Sequence, residues 1–348
     1  RGMQANTWAR PCRSCSVIAL STSTSSSMAT TTRVQHLKGL SDVFGGTSGS
    51  PYKAVLLDQF GVLHDGRKPY PGAIEAARQL HAAGLRLYII SNSSRRSSGT
   101  IAKLAKLGFD ASWFEGAITS GELAHTCLTA RPDDWWRGLG SRAVHLTWAE
   151  RGAISLDGLG LQVVGEYVSQ ADFLLAHGTE AVGVADDGTS QPALPRSLDQ
   201  LNALLAAAAA LPSPPPMIVA NPDLVTVDGG GLVTMPGTLA ATYASLGGRV
   251  ELMGKPAPRV YSACLGALRL APQQVIAIGD SIEHDIGGAA SAGIDSVLVA
   301  GGIHADVLLG TGAAAAPGAG APVQEAGLVA LAAQHGVSPQ YTVPFFSW

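Results

Sequence analysis

Asp58 follows the apolar run Ala54-Val55-Leu56-Leu57, and Gly61 stands three residues beyond it. A buried strand that ends this way presents its carboxylate at a strand-to-loop junction, the edge where open α/β sheets bind ligands. Ser91-Asn92 closes a second apolar run, Leu85 to Ile90. A small hydroxyl followed by an amide at a strand end is suited to hold a phosphate oxygen, with help from the N–H groups of the next helix. Lys255 sits between Gly254 and Pro256, where a helix begins, and should point at an anion. Val275-Ile276-Ala277-Ile278 then runs into Gly279-Asp280, with Asp285 five residues further on. Two carboxylates at one junction repel unless a cation sits beside them, and oxygen ligands with room for water suit Mg²⁺. Each stretch alone has a plainer reading: Asp58, Ser91, Asn92 and Asp280 as helix caps or turn residues, Asp285 as a surface charge.

The elements that would position these groups alternate. Apolar residues at helical spacing run from Pro71 to Ala83 and stop at Gly84. From Phe114 the texture changes: Ile118 to Ala130 reads as a helix, Val144–Thr147 and Asp172–His177 as strands, Leu198–Leu211 as a helix. Met217-Ile218-Val219-Ala220 follows a proline-rich break and leads into Asn221-Pro222-Asp223. The fold class is therefore α/β, with a second α/β unit inserted into the first. The boundaries drawn are 1–45 for an N-terminal extension, 46–113 and 250–309 for a core, and 114–249 for the insert. A linker, helix and aromatic tail then fill 310–348.

The order strand-Asp, strand-Ser-Asn, Gly-Lys-Pro, strand-Gly-Asp-x4-Asp resembles the haloacid dehalogenase (HAD) superfamily. The insertion, Asn221-Pro222-Asp223 and Gly254-Lys255-Pro256 are similar to its class IIA (NagD-like) branch. The resemblance implies a Rossmann-like core with a parallel sheet, a cap domain of C2 type, and a phosphatase working through an aspartyl-phosphate. Asp58 would be the nucleophile, with Ser91 and Lys255 assisting catalysis. Mg²⁺ would be held by Asp58, the Phe60 carbonyl and Asp280, supported by Asp285. Ser91, Asn92, Lys255 and the cap residues Asn221 and Asp223 would bind a small phosphorylated substrate.

One position departs from the family pattern. Two residues after the nucleophile, where a second Asp serves as general acid and base, this chain has Phe60. Losing positioned acid–base catalysis costs roughly 10²–10⁴-fold. His64 or Asp65 could take over as proton carrier, or be ordinary loop residues. Three readings follow: a slow or specialised Mg²⁺-dependent phosphatase, a dehalogenase-like hydrolase, or a catalytically silent binding or assembly protein. Asp280 and Asp285 weigh against the second.

Composition bounds the partners. The 348 residues carry a net charge of −3, which gives no electrostatic reason to expect nucleic acid or an anionic membrane. No apolar run approaches the roughly 20 residues that cross a bilayer. Cys12 and Cys15 form a lone CxxC pair, weak as a zinc signal. The first 41 residues hold no Asp or Glu and are rich in Ser and Thr, so an organelle transit peptide is expected if the extension is genuine, and a cytoplasmic protein otherwise. Gly310 to Pro322 reads as a linker, and Val323 to His335 as a helix. The aromatic end Tyr341–Trp348 should pack on the core or on a second subunit of a homodimer. Trp135, Trp136 and Trp148 read as packing residues, and His177–Glu180 as an ordinary turn.

Overall fold

A computed structural model describes residues 34–46, 50–185, 193–228, 231–310 and 322–348. The proposed transit segment up to residue 33, Cys12, Cys15 and most of the Gly310–Pro322 stretch lie outside the described residues.

Among the described residues, sixteen strands form two large sheets and a hairpin. The strands are β1 Gln35–His36, β2 Ala54–Leu57, β3 Arg86–Ser91, β4 Phe114–Thr119, β5 Arg142–Thr147 and β6 Gln162–Val163. They continue with β7 Phe173–Ala176, β8 Ala181–Gly183, β9 Ala193–Pro195, β10 Met217–Val219 and β11 Val225–Asp228. The last are β12 Gly231–Thr234, β13 Val250–Leu252, β14 Val275–Gly279, β15 Asp295–Val299 and β16 Tyr341–Val343.

The core sheet has the order β1-β16-β15-β14-β2-β3-β4, parallel throughout. Its central strands β2 and β14 read as unbroken apolar runs because both faces are covered. In β2 and β14, Ala54, Leu56, Val275 and Ala277 pack to one side, with Tyr261 and Cys264 of the helix Pro258–Leu268. Val55, Leu57, Ile276 and Ile278 pack to the other, against Ala73, Ala76, Ala77 and Leu80 of the helix Ala73–Ala82. The chain winds from β2 outward through β3 and β4, then from β14 outward the opposite way. The reversal falls between β2 and β14, which puts a crevice beside the carboxyl ends of these two strands.

The second sheet, β13-β10-β7-β5-β8-β9 with β6 beside β5, is built from residues between the two parts of the core. Two helices, Leu198–Ala209 and Pro236–Ser245, cover its inner residues Val144, Leu146, Leu174, Ala176, Met217 and Val219.

Several elements differ from the sequence reading. Ile118 and Thr119 belong to β4, at the edge of the core sheet, and the helix starts at Ser120. The Thr119 hydroxyl accepts the Glu122 N–H at 3.0 Å, a capping contact that marks this start in the sequence as T-x-x-E. The insert thus begins after β4 rather than at residue 114. At its far end, β13 pairs with β10, so residues 250–252 lie in the insert's sheet rather than the core's. The last residues are not a tail beside a linker: β16 fills a place between β15 and β1, and Val343 and Phe346 are buried. The extension is likewise part core from residue 34, where β1 pairs with β16. These two-residue and three-residue strands are set by tertiary pairing and leave no periodicity to read.

Candidate active site

The register β2–β14 places Asp58 and Asp280 side by side, with the Asp58 N–H donating to the Ile278 carbonyl at 3.0 Å. Gly61, at φ +79°, turns the loop after Asp58 against Asp280. A Cβ there would fall 1.8 Å from Asp280 Oδ2, so only glycine leaves the two loops room to meet. The Asp280 Oδ2 accepts the Ile303 N–H at 2.8 Å, and Asp285 Oδ2 accepts the Ser281 N–H at 3.1 Å.

Lys255 is 3% exposed, and its Nζ lies 2.7 Å from Asp58 Oδ1 and 2.7 Å from Asp285 Oδ1. Burial opposes its charge, but Asp285 and Asp58 hold it well above the ordinary lysine range. Burial likewise pushes the Asp58 carboxyl up, and Asp285 adds to this while Lys255 opposes it, leaving Asp58 at about 6. Asp280 is raised further by burial and by the charges of Asp58 and Asp285. Carboxylate oxygens of Asp58, Asp280 and Asp285 lie within 4.8 Å of one another. Two buried carboxylates and one partly buried one against a single lysine leave uncompensated negative charge. A hard divalent cation with oxygen ligands fits that surplus.

The other predicted residues divide. Ser91 ends β3, buried, with its Oγ accepting the Ser93 N–H at 3.3 Å. The Asn92 side chain does not project into the crevice as a free phosphate ligand. Its Oδ1 accepts the Lys255 N–H at 2.7 Å, and its Nδ2 donates to the Lys255 carbonyl at 3.1 Å and to Asp223 Oδ1 at 2.8 Å. Gly254 permits this approach, since a Cβ there would lie 2.4 Å from Asn92 Oδ1. Asn221 turns its Oδ1 back to accept the Asp223 N–H at 3.0 Å and so shapes the loop that presents Asp223. Both Asn92 and Asn221 therefore hold other site residues in place.

Phe60 is 41% exposed, its ring edge-on to the His64 ring at 4.8 Å and beneath Lys103 Nζ at 4.9 Å. Neither proposed stand-in for the second Asp is set up as a proton carrier. His64 is fully buried, its Nδ1 accepts the Gly66 N–H, and burial lowers its pKa to about 4. Asp65 is exposed, and the N–H groups of Lys68 and Arg67 hold its carboxyl low despite some desolvation.

One group has no role in the sequence reading, and another does more than that reading gave it. His284 lies within the Asp280–Asp285 stretch, and its Nδ1 is 3.3 Å from Asp223 Oδ1. Burial opposes its protonation, yet the hydrogen bond and charge of Asp223 raise its pKa. Its place between two site carboxylates was the available signal. Trp148 is a packing residue, as expected, but it also crosses to the core: its Nε1 donates to Ser94 Oγ at 3.2 Å, just beyond Ser91-Asn92. Trp136 is fully buried. His177 is buried against His145, ring nitrogens 3.1 Å apart, and Glu180 accepts the Ala149 and Glu150 N–H groups, so this segment is a turn within the insert.

A parallel α/β core with carboxylates at its switch point, roofed by an inserted α/β unit, defines a Rossmann-like core-and-cap architecture. The family comparisons agree with it. A model described as haloacid dehalogenase-like hydrolase matches residues 55–162, and a second, HAD-hydrolase-like, matches 252–322, together about half of the chain. Human chronophin (Homo sapiens) is 28% identical over 321 residues, spanning 89% of this chain and 95% of that protein. The D-glycerol 3-phosphate phosphatase of Mycobacterium tuberculosis is 26% identical over 256 residues, 73% of this chain and 64% of that protein. A haloacid dehalogenase-like hydrolase structure from Brucella suis superposes with a TM-score of 0.65 at 25% identity, covering 89% of this chain and 99% of that one. NagD from E. coli K-12 gives a TM-score of 0.56 at 21% identity, covering 85% and 97%. The chain belongs to the haloacid dehalogenase-like hydrolases, with the architecture of the class IIA, NagD-like branch.

Proposed function

We propose that this chain is a Mg²⁺-dependent phosphatase that acts on a small phosphorylated metabolite through a phosphorylated Asp58. The observation that carries the reading is the Lys255 Nζ bridging Asp58 and Asp285, beside Asp280. In this reading an Asp58 oxygen attacks phosphorus, and the bond to the leaving oxygen breaks. Lys255 offsets charge on Asp58 and on the transferring phosphoryl group, and Ser91 donates its hydroxyl to a phosphoryl oxygen. Mg²⁺ would be held by Asp58, the Phe60 carbonyl and Asp280, with Asp285 in support. When bound, it neutralises the carboxylates and the phosphoryl oxygens. The insert, residues 120–252, acts as a cap whose Asp223 and Trp148 reach core residues and exclude water.

The relatives support phosphate monoester chemistry: the Mycobacterium protein is named a glycerol 3-phosphate phosphatase, and a p-nitrophenyl phosphatase from Archaeoglobus fulgidus shares the fold. Phe60 favours a second reading, a silent binding or assembly protein, because no proton carrier stands at that position. Phosphate release from acetyl phosphate and para-nitrophenyl phosphate separates the two, with Asp58→Asn as the control.

A further inference from the structure

We propose that the species this protein accumulates is phosphorylated Asp58, formed readily from acyl phosphates and discharged slowly to water. The inference rests on the phosphatase reading and deepens it by naming the donor class and the resting form.

The two halves of the reaction make different demands on protons. In the first, an Asp58 oxygen bonds to phosphorus as the bond to the leaving oxygen breaks. An alkoxide leaving group needs a proton at that moment, whereas the carboxylate expelled from an acyl phosphate does not. In the second, water bonds to phosphorus, gives up a proton, and the bond to Asp58 breaks to return its carboxylate. That half needs a base whatever the donor was.

Among the described residues, the groups around Asp58 supply charge but no proton relay. At residue 60 the side chain is an aromatic ring, packed against His64 and under Lys103. His64 is sealed from solvent with its Nδ1 already accepting a hydrogen bond, and Asp65 closes a turn with Arg67 and Lys68. Lys255 is clamped between Asp58 and Asp285. Asp280 takes the Ile303 N–H, Asp285 takes the Ser281 N–H, and His284 faces Asp223. Acyl phosphates therefore pass the first half unhindered, while the second lacks roughly 10²–10⁴-fold of assistance. The ratio of the two rates makes the covalent adduct the dominant form.

The test is intact-mass and peptide-level analysis of the full chain incubated with acetyl phosphate in magnesium buffer. The expected result is close to one phosphoryl group per chain, on Asp58, decaying slowly after the donor is removed. Added imidazole, as base or acceptor, should shorten the adduct's lifetime in the unaltered protein, a readout that needs no variant. Phe60→Asp should move two quantities in opposite directions: turnover up by roughly tenfold or more, and adduct occupancy down. Phe60→Asn, which cannot titrate, should keep the long-lived adduct. Turnover of acetyl phosphate by the unaltered chain with no adduct, or an adduct lifetime indifferent to imidazole, would overturn the proposal while leaving the phosphatase reading intact. Neither adduct nor turnover from folded protein would overturn both.

Discussion

Asn92 and Lys255 are joined twice, by the Lys255 N–H donating to Asn92 Oδ1 and by Asn92 Nδ2 donating to the Lys255 carbonyl. The same amide nitrogen reaches Asp223 on the insert, so one side chain ties the cap to the backbone that carries the active-site lysine. Asn92→Ala should leave these partners short of hydrogen bonds and let Lys255 shift. A misplacement of about 1 Å costs on the order of 10²-fold in rate. The expected outcome is a fall in kcat of that order with a smaller change in KM, measured by steady-state kinetics on protein whose circular dichroism is unchanged.

Removing the lysine itself should act on stability as well as rate. Lys255→Met leaves buried Asp285 and partly buried Asp58 without their cation, and breaking a buried pair typically costs about 3–5 kcal/mol. Urea denaturation should show a loss of that size at neutral pH.

Mg²⁺ should stabilise the protein in a pH-dependent way. Burial and neighbouring carboxylates raise Asp58 to about 6 and Asp280 in the same direction, above their unfolded values. Their contribution to stability is full below the ordinary carboxylate range and is lost as pH rises through the folded values. A bound cation requires the ionised forms and compensates them. The rise in Tm on adding Mg²⁺ should therefore be larger near pH 8 than near pH 5, worth about 2.7 kcal/mol at a hundredfold excess over Kd. An equal or larger shift at the lower pH would speak against these ligands.

Glu122 gives the opposite sign. It accepts hydrogen bonds from Arg96, Ser97 N–H and Ser97 Oγ, and the Arg96 contact, working against some desolvation, holds its pKa at about 2. That stability is present above the unfolded value and is lost as pH falls toward 2. Glu122→Gln should cost on the order of 1–3 kcal/mol at neutral pH and flatten the acid limb of a stability profile.

The positions of Asp58, Ser91 and Asp280 at the sheet edge were legible because each stands where an apolar strand stops. Asp58 and Asp280 follow four-residue and five-residue runs buried on both faces, and no ordinary surface loop produces that pattern. The roles of Asn92 and Asn221 were not legible. Asn92 meets Lys255, far away in sequence, and Asn221 spends its oxygen on the Asp223 N–H, so only folding shows that each side chain holds another site residue. His284 was missed because a single histidine in a one-turn helical segment carries no periodicity, and its partner Asp223 lies across the cap boundary. The short strands β1 and β16 were missed because pairing, rather than side-chain pattern, makes them strands.

The most direct test is release of inorganic phosphate from acetyl phosphate and para-nitrophenyl phosphate by the full chain, with and without Mg²⁺, beside Asp58→Asn. The predicted result is Mg²⁺-dependent release that disappears in the variant. Release that persists in Asp58→Asn, or none at all from folded protein with Mg²⁺ present, would contradict Asp58 as the nucleophile of a phosphatase.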